Sequence, residues 1–367
     1  MPLTQLLAVL GISFELVMGM PTTTPPVYKS CGSPNVTGMQ CVPYERCNEG
    51  LMVDGHFYPE RSRTLLDERS CHYMEKCCKI ENTLPRGTPA PHNATTDYLQ
   101  CGWRLDSWYY LRPLGYKQQE AKFGEFPWLV AVYNVNGSYL CSGALITPFV
   151  VLTAAHCVQR EALESLQLVA GEWDAAVQLE PLPHQTQPVA EVLVHPNYTQ
   201  APAAHNVALL FAGAGGFQLA PHVQTICLPP LHTVYNYTQC YVAGWRRSHF
   251  GANETLPKRW PLYALPRDQC ASKLRLAILG RRYALNDTLI CTGGDKGEFV
   301  CKDMGGVPLM CLLPGCDDRF VLAGLLARAA RCDGPQLLGI YTNMMFYRRW
   351  IDQKLRERDL DIRQYMV

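Results

Sequence analysis

No serine occurs in residues 273–367, the last one being Ser272. Whatever the final quarter of the chain does, a serine hydroxyl does not do it. An excess of charge of one sign is missing too: 33 basic and 32 acidic residues leave a formal net charge of +1. That balance excludes a global electrostatic footprint for nucleic acid or for an anionic membrane surface. No apolar stretch runs uninterrupted for 18 residues beyond the amino terminus, so no later segment reads as a membrane-spanning helix. A compact Cys/His cluster with metal-ligand spacing is absent, and no cofactor or metal is expected. Long amphipathic helical patterns are scarce.

Cysteine, by contrast, is abundant. Seventeen are spread along the 367 residues, which implies a disulfide framework formed in an oxidising compartment. Leu6 to Val17 is mostly apolar and precedes polar Pro21-Thr22-Thr23-Thr24, so residues 1–20 read as a signal peptide, although the run carries Glu15 and no basic residue leads it. Seven Asn-x-Ser/Thr sequons, at Asn35, Asn93, Asn136, Asn197, Asn236, Asn253 and Asn286, add the expectation of a glycosylated surface. Together these features predict a secreted, extracellular protein. An apolar content of 48% and a mean hydropathy of −0.09 fit a soluble globular body.

The cysteines divide the chain. Cys31, Cys41, Cys47, Cys71, Cys77 and Cys78 fall in a module spanning residues 28–79, too small to bury much core and therefore in need of staples. Six cysteines allow fifteen pairings. Residues 80–100, with Pro85, Gly87, Pro89 and Pro91, read as an exposed linker. Residues 101–360 form the body. Its short apolar runs, among them Trp128–Tyr133, Ala144–Ile146, Val150–Leu152, Val189–Val194, Val207–Phe211, Tyr241–Gly244 and Val321–Leu326, predict an all-β barrel or sandwich. Near the end, Phe346, Trp350 and Leu355 recur about a turn apart and predict a docking helix, and the charged tail after it reads as fraying.

The sharpest local motif is Leu152-Thr-Ala-Ala-His156-Cys157, in which a histidine could serve as a general base. With Cys141-Ser-Gly-Ala144, Gly124-Glu-Phe-Pro-Trp128, Cys240-Tyr-Val-Ala-Gly-Trp245, Gly339-Ile-Tyr-Thr-Asn-Met344 and Trp350-Ile351, it resembles the trypsin/chymotrypsin-like serine proteases over most of residues 101–355. The six amino-terminal cysteines and the Cys77-Cys78 doublet resemble the clip domain of arthropod proteases. The chain is thus similar to the clip-domain serine protease homologues. The resemblance implies two six-stranded β-barrels with a C-terminal helix, preceded by a small disulfide-rich clip domain.

It also implies which residues should carry chemistry. His156 matches the general base; Asn206, in His205-Asn-Val-Ala-Leu-Leu210, matches the orienting aspartate; Gly305, in Cys301-Lys-Asp-Met-Gly-Gly-Val-Pro-Leu309, matches the nucleophilic serine. Glycine has no oxygen with which to form an acyl intermediate. Asparagine carries no charge and can select the wrong imidazole tautomer, a change that costs about 10⁴ in turnover in a well-studied serine protease. Misalignment offers no rescue, since no serine lies nearby and Thr288, Thr292 and Thr342 have no nucleophile-like context. The activation switch is altered at both ends: Leu114-Gly115-Tyr116-Lys117-Gln118 lacks a basic residue before the would-be cut and an apolar new terminus after it, Arg112 precedes Pro113, and Met304 stands in place of the partner aspartate. Asp303 matches an oxyanion-hole glycine, where a carboxylate opposes developing negative charge. Phe299 matches the base of the primary pocket, and Ala327 and Arg328 replace the usual Ser-Trp edge.

By the same resemblance, the expected disulfides are Cys31–Cys77, Cys41–Cys71 and Cys47–Cys78 in the clip, Cys101–Cys227 at the linker's end, and Cys141–Cys157, Cys240–Cys311, Cys270–Cys291 and Cys301–Cys332 in the body. Cys316 is left over, as a free thiol or a bridge to another chain. What the resemblance implies for function is a non-catalytic, protein-binding cofactor or regulator in an extracellular protease cascade of innate immunity, with prophenoloxidase activation and melanisation as its outcome. Partners would be extracellular proteins such as clip-domain proteases or prophenoloxidase. Arg86, Arg61 and Arg63 are candidate cleavage sites. Adhesion, reproduction, microbial-surface recognition and residual endopeptidase activity are the alternatives.

Overall fold

The computed structural model describes residues 29–30, 38–43, 75–80, 100–103, 119–176, 182–200, 204–236, 238–245, 255–276, 284–295, 305–313, 315–316, 319–331 and 336–367. The signal peptide, most of the clip module with one cysteine of each of its three expected disulfides, and the linker with Arg86 lie outside the described residues, as do Arg61, Arg63 and the sequons at Asn35, Asn93 and Asn253. What is described of the amino-terminal module is an antiparallel pair, β1 (Met39–Pro43) and β2 (Glu75–Lys79), with Cys41 opposite Cys77 in register and Cys41 fully buried in a disulfide.

The body consists of two closed antiparallel barrels. The first joins β3 (Leu129–Asn134), β4 (Tyr139–Thr147), β5 (Val150–Thr153), β6 (Leu166–Ala170), β7 (Gln185–Val194) and β8 (Ala208–Ala212) in the order β3-β4-β5-β8-β7-β6. The second joins β9 (Gln239–Gly244), β10 (Lys258–Ala264), β11 (Leu289–Asp295), β12 (Pro308–Leu312), β13 (Phe320–Arg331) and β14 (Gln336–Asn343) in the order β10-β11-β14-β13-β12-β9. Closure leaves no unpaired barrel edge. Polar and apolar residues mix along β7, whose outer face meets solvent, whereas β5 (VVLT) and β8 (ALLFA) are apolar or β-branched throughout and buried on both faces.

One continuous apolar core fills the first barrel and crosses the seam to Met310, Phe320, Leu322 and Leu325 of the second. Trp128 anchors that seam: it is fully buried, packs on Phe320 with centroids 5.9 Å apart, and donates its indole N–H to the Met310 sulfur at 2.8 Å. Four disulfides close in the described body, Cys101–Cys227, Cys141–Cys157, Cys240–Cys311 and Cys270–Cys291. Cys316 is a free thiol there, and Cys301 and Cys332 lie outside the described residues.

Two expectations for the carboxyl end are corrected. The helix α3 spans Met344–Arg356, capped by the Asn343 side chain accepting from Met345 N–H, but its buried face is Met344, Tyr347, Arg348, Ile351 and Leu355. Phe346 is instead 49% exposed and Trp350 only half-buried. The charged tail does not fray. Tyr365 is fully buried, its hydroxyl donates to Asp352 at 2.8 Å, and the Arg348 guanidinium lies 5.1 Å from its ring centroid. The Tyr365 carbonyl accepts from Leu228 N–H at 3.0 Å, and the Met366 carbonyl receives Arg319 at 3.4 Å. A single large aromatic ring offsets the ordering entropy that charge content alone suggested the tail could not meet.

Candidate functional site

The site sits where β5 ends. Ala154 is extended (φ −80°, ψ 136°), and the one-turn helix α1 (Ala155–Val158) follows, so His156 emerges exposed from a buried strand end. Across from it, His205 adopts a left-handed φ of 50° and turns the chain so that Asn206 points inward just before β8. Asn206 is 1% exposed and held from three directions. Its Oδ1 accepts the His156 backbone N–H at 3.0 Å, its Nδ2 lies 2.8 Å from His156 Nδ1, and its carbonyl accepts the Thr342 hydroxyl at 3.1 Å. Asn206 Oδ1 also lies 3.2 Å from the same Nδ1, so the side-chain amide can meet the ring as acceptor or, through the nearer Nδ2, as donor. An N–H donated to Nδ1 makes Nδ1 the acceptor and puts the ring proton on Nε2. In that tautomer Nε2 has no lone pair with which to take a proton.

Gly305 lies directly against that Nε2. A Cβ built on Gly305 would come 2.8 Å from His156 Nε2, 2.6 Å from Cys141 Sγ and 3.1 Å from Cys157 Sγ. A side chain at 305 would therefore require the imidazole and the disulfide to shift, before its functional group is considered. Gly305 itself is fixed by its carbonyl, which accepts Ser142 N–H at 3.1 Å. Gly306 has a φ of 69° and its Cβ position falls on the Ser142 carbonyl oxygen, so the turn that returns the chain to β12 needs glycine twice over. The ring occupies volume that a side chain at 305 would need, and the corner is packed on the Cys141–Cys157 disulfide, with Cys157 Sγ 3.7 Å from Nε2.

Sequence spacing did not suggest that Cys141, His156 and Cys157 bring their ligand atoms within 4.8 Å of one another. The two sulfurs are bonded to each other, so neither offers a thiolate to a metal while the bridge is closed. Of the remaining expected positions, Ala327 is half-buried on β13, and Thr288, Thr292 and Thr342 are all buried. Phe299, Asp303, Met304 and the segment Leu114–Gln118 lie outside the described residues, as does the side chain of Arg328.

Just after that segment the chain is clamped. Gln119 and Ala121 bond to Arg259 and Pro257 through their backbones, and a nearly buried ion pair joins Glu120 to Lys258 at 3.0 Å. A second pair, Arg259 with Glu125 at 2.9 Å, flanks it. Neither pair was legible in sequence, because the partners are more than a hundred residues apart. Behind Asn206, the rings of His195 and His205 stack with centroids 4.9 Å apart, and Tyr347 hydrogen-bonds His205 at 3.1 Å. Burial, with the neighbouring His205 second, holds the His195 imidazole down to about 4. Burial does the same to His222, again to about 4.

A family model described as Trypsin matches residues 116–351. The chain is similar to phenoloxidase-activating factor 2 of Galleria mellonella, 32% identical over 290 residues that cover 75% of this chain and 95% of that protein. It is also similar to inactive CLIP domain-containing serine protease A28 of Anopheles gambiae, 28% identical over 88% of this chain and 90% of that one. Phenoloxidase-activating factor 3 of Holotrichia diomphalia is 29% identical over 89% of this chain and 94% of its own length.

Proposed function

This chain belongs to the trypsin family of serine proteases, in its clip-domain branch, and on that premise we propose that it is a secreted, non-catalytic regulator in an extracellular protease cascade of innate immunity that leads to phenoloxidase activation. The observation that carries the reading is the closed corner at Gly305. There is no nucleophile, and a Cβ at that position would collide with His156 Nε2 and Cys141 Sγ. In this reading Asn206 stands where an orienting aspartate would, brings no charge to the imidazole and can hold it in the tautomer that cannot accept a serine proton. Met304, Asp303, Phe299 and the Leu114-Gly115 junction complete the loss of activation switch, oxyanion hole and basic-residue pocket.

What remains is a rigid double barrel with an amino-terminal clip module, and its partners are extracellular proteins such as clip-domain proteases or prophenoloxidase. Cleavage at Arg86, Arg61 or Arg63 would be the regulatory event. The test uses the full chain, intact and after limited proteolysis. It should be silent towards a serine-directed phosphonate and a peptide ester. It should also raise the phenoloxidase activity produced from prophenoloxidase by its activating protease, saturably with concentration. Turnover of the ester overturns the non-catalytic part, and an unchanged phenoloxidase yield in both forms overturns the regulatory part.

A further inference from the structure

Away from the closed corner, an open groove of about 680 Å³ runs between the loop at Val234–Asn236 and the helix α2 (Arg267–Leu274). Its size falls in the ~300–1,000 Å³ range of small-molecule clefts. The floor includes Ala271 and Leu285, and Arg267 and Arg275 stand at its sides. Val234 is 65% exposed and Leu276, which follows Arg275, is 84% exposed. These are the two most exposed large apolar side chains among the described residues; Val234 lines the groove, and Leu276 directly follows a residue that does. A patch of that kind on a secreted protein is either covered or prone to self-association.

Two of the four described sequons stand on its rim. Asn236 lines the groove and is exposed. Asn286 follows Leu285 and is also exposed, and Arg267 of the groove donates to its carbonyl at 3.4 Å. The Asn286 Oδ1 accepts Thr288 N–H at 3.1 Å, while the attachment chemistry uses the other side-chain atom, Nδ2. The remaining two described sequons lie elsewhere, Asn136 on the β3–β4 hairpin and Asn197 on the loop after β7.

We propose that N-linked oligosaccharides on Asn236 and Asn286 of this chain lie over the groove and shield Val234 and Leu276. In each attachment the amide Nδ2 displaces the diphosphate of a lipid-linked oligosaccharide at the anomeric carbon. A C–N bond forms, the C–O bond to the diphosphate breaks, and the amide proton leaves. Sugar rings suit the site: their C–H faces cover the apolar side chains, and their hydroxyls can meet the Arg267 and Arg275 guanidinium groups and the Asp268 carboxylate. The inference rests on the secreted reading, and the two can fail separately.

The experiment expresses the full chain through a eukaryotic secretory pathway and measures occupancy at each sequon by glycopeptide mass spectrometry. Binding of an apolar dye and self-association are then followed in wild type, Asn236→Gln/Asn286→Gln and Asn197→Gln. Both groove sites should be occupied. Dye binding and self-association should rise severalfold in the double variant and stay at the wild-type level in Asn197→Gln. Adding Val234→Ser and Leu276→Ser to the double variant should restore the wild-type level, which a general loss of folding would not allow. Occupancy at Asn136 or Asn197 with none at Asn236 and Asn286 overturns the shield alone, as does occupancy whose removal changes neither readout. An absence of sugar at every sequon overturns the shield as well, whereas a chain that is not released into the medium overturns the secreted reading.

Discussion

Two corners of this body are built from similar parts and have opposite outcomes. At the catalytic corner a one-turn helix, the Cys141–Cys157 disulfide and a buried Asn206 surround an imidazole. At the corner where residues 101–103 meet the carboxyl end, the long helix α3, the Cys101–Cys227 disulfide and a buried Arg348 surround the Tyr365 ring. The first is well hydrogen-bonded but holds no nucleophile, and its ring lies in the volume that a side chain at 305 would need. The second has gained partners for almost every polar group. Arg348 meets Asp352 at 2.8 Å and the Pro229 carbonyl at 3.2 Å, Cys101 Sγ touches the Met366 carbonyl at 3.2 Å, and Arg319 bonds the Cys101 carbonyl at 3.2 Å while lying over Trp103. Packing fills a space whether or not function needs it. The difference therefore separates what holds this molecule together from what a protease would use it for.

The comparison is broken most directly at Tyr365. Tyr365→Ala should cost about 3–5 kcal/mol in urea unfolding, the cost of truncating a fully buried large aromatic. A loss below about 1 kcal/mol would mean the tail is decoration rather than part of the core. Next comes the clamp on the chain's entry to the first barrel. Glu120→Gln strands the Lys258 ammonium and should cost roughly 3 kcal/mol, while Glu120→Met with Lys258→Met should recover most of it. If the double change were as damaging as the single, the pair's charge would not be the reason.

A smaller effect is expected at the catalytic corner. Gly305→Ser should destabilise by about 1–3 kcal/mol through overpacking against Cys141 Sγ, and should yield no ester hydrolysis even when combined with Asn206→Asp. Measurable turnover by that double variant would show that the corner reopens and that only two residues separate it from an enzyme. Least in size is the pH response. His195 and His222 are both held at about 4, below their ordinary 6.5, so the unfolded chain binds protons that the folded one refuses. The stability they contribute is complete above 6.5 and is lost as pH falls from there towards 4. The urea midpoint should drop over that window, and His222→Asn should flatten the drop. An unchanged slope in the variant would remove His222 from the account.

Much of the catalytic corner was legible before any coordinates. The triad positions lie in local motifs, and Gly305 and Asn206 are read from a few residues either side. The strands were legible as well, because short β-branched runs between turns have few other solutions. The docking helix and its buried Leu355 were legible from their spacing, and Trp350 does pack on the core; Phe346 was misassigned because a large aromatic on an exposed flank mimics a buried face when composition is the only guide. The tail was misassigned for the converse reason. Charge dominates residues 356–363, and a single Tyr365 has no periodicity by which to signal burial.

By itself, the sequence determined that serine is absent from the last quarter of the chain, that cysteines staple it and that its body is all-β, and its motifs resembled the trypsin family closely enough to imply two barrels. These are properties of residue identity and local order. Only the tertiary structure decided that a Cβ at Gly305 would press on the His156 ring and the Cys141–Cys157 bridge, that Glu120 and Lys258 neutralise each other, and that Val234 and Asn236 line one groove with Arg275 and Leu285, the neighbours of Leu276 and Asn286. Each of those depends on distances between residues far apart in the chain, which composition and spacing do not encode.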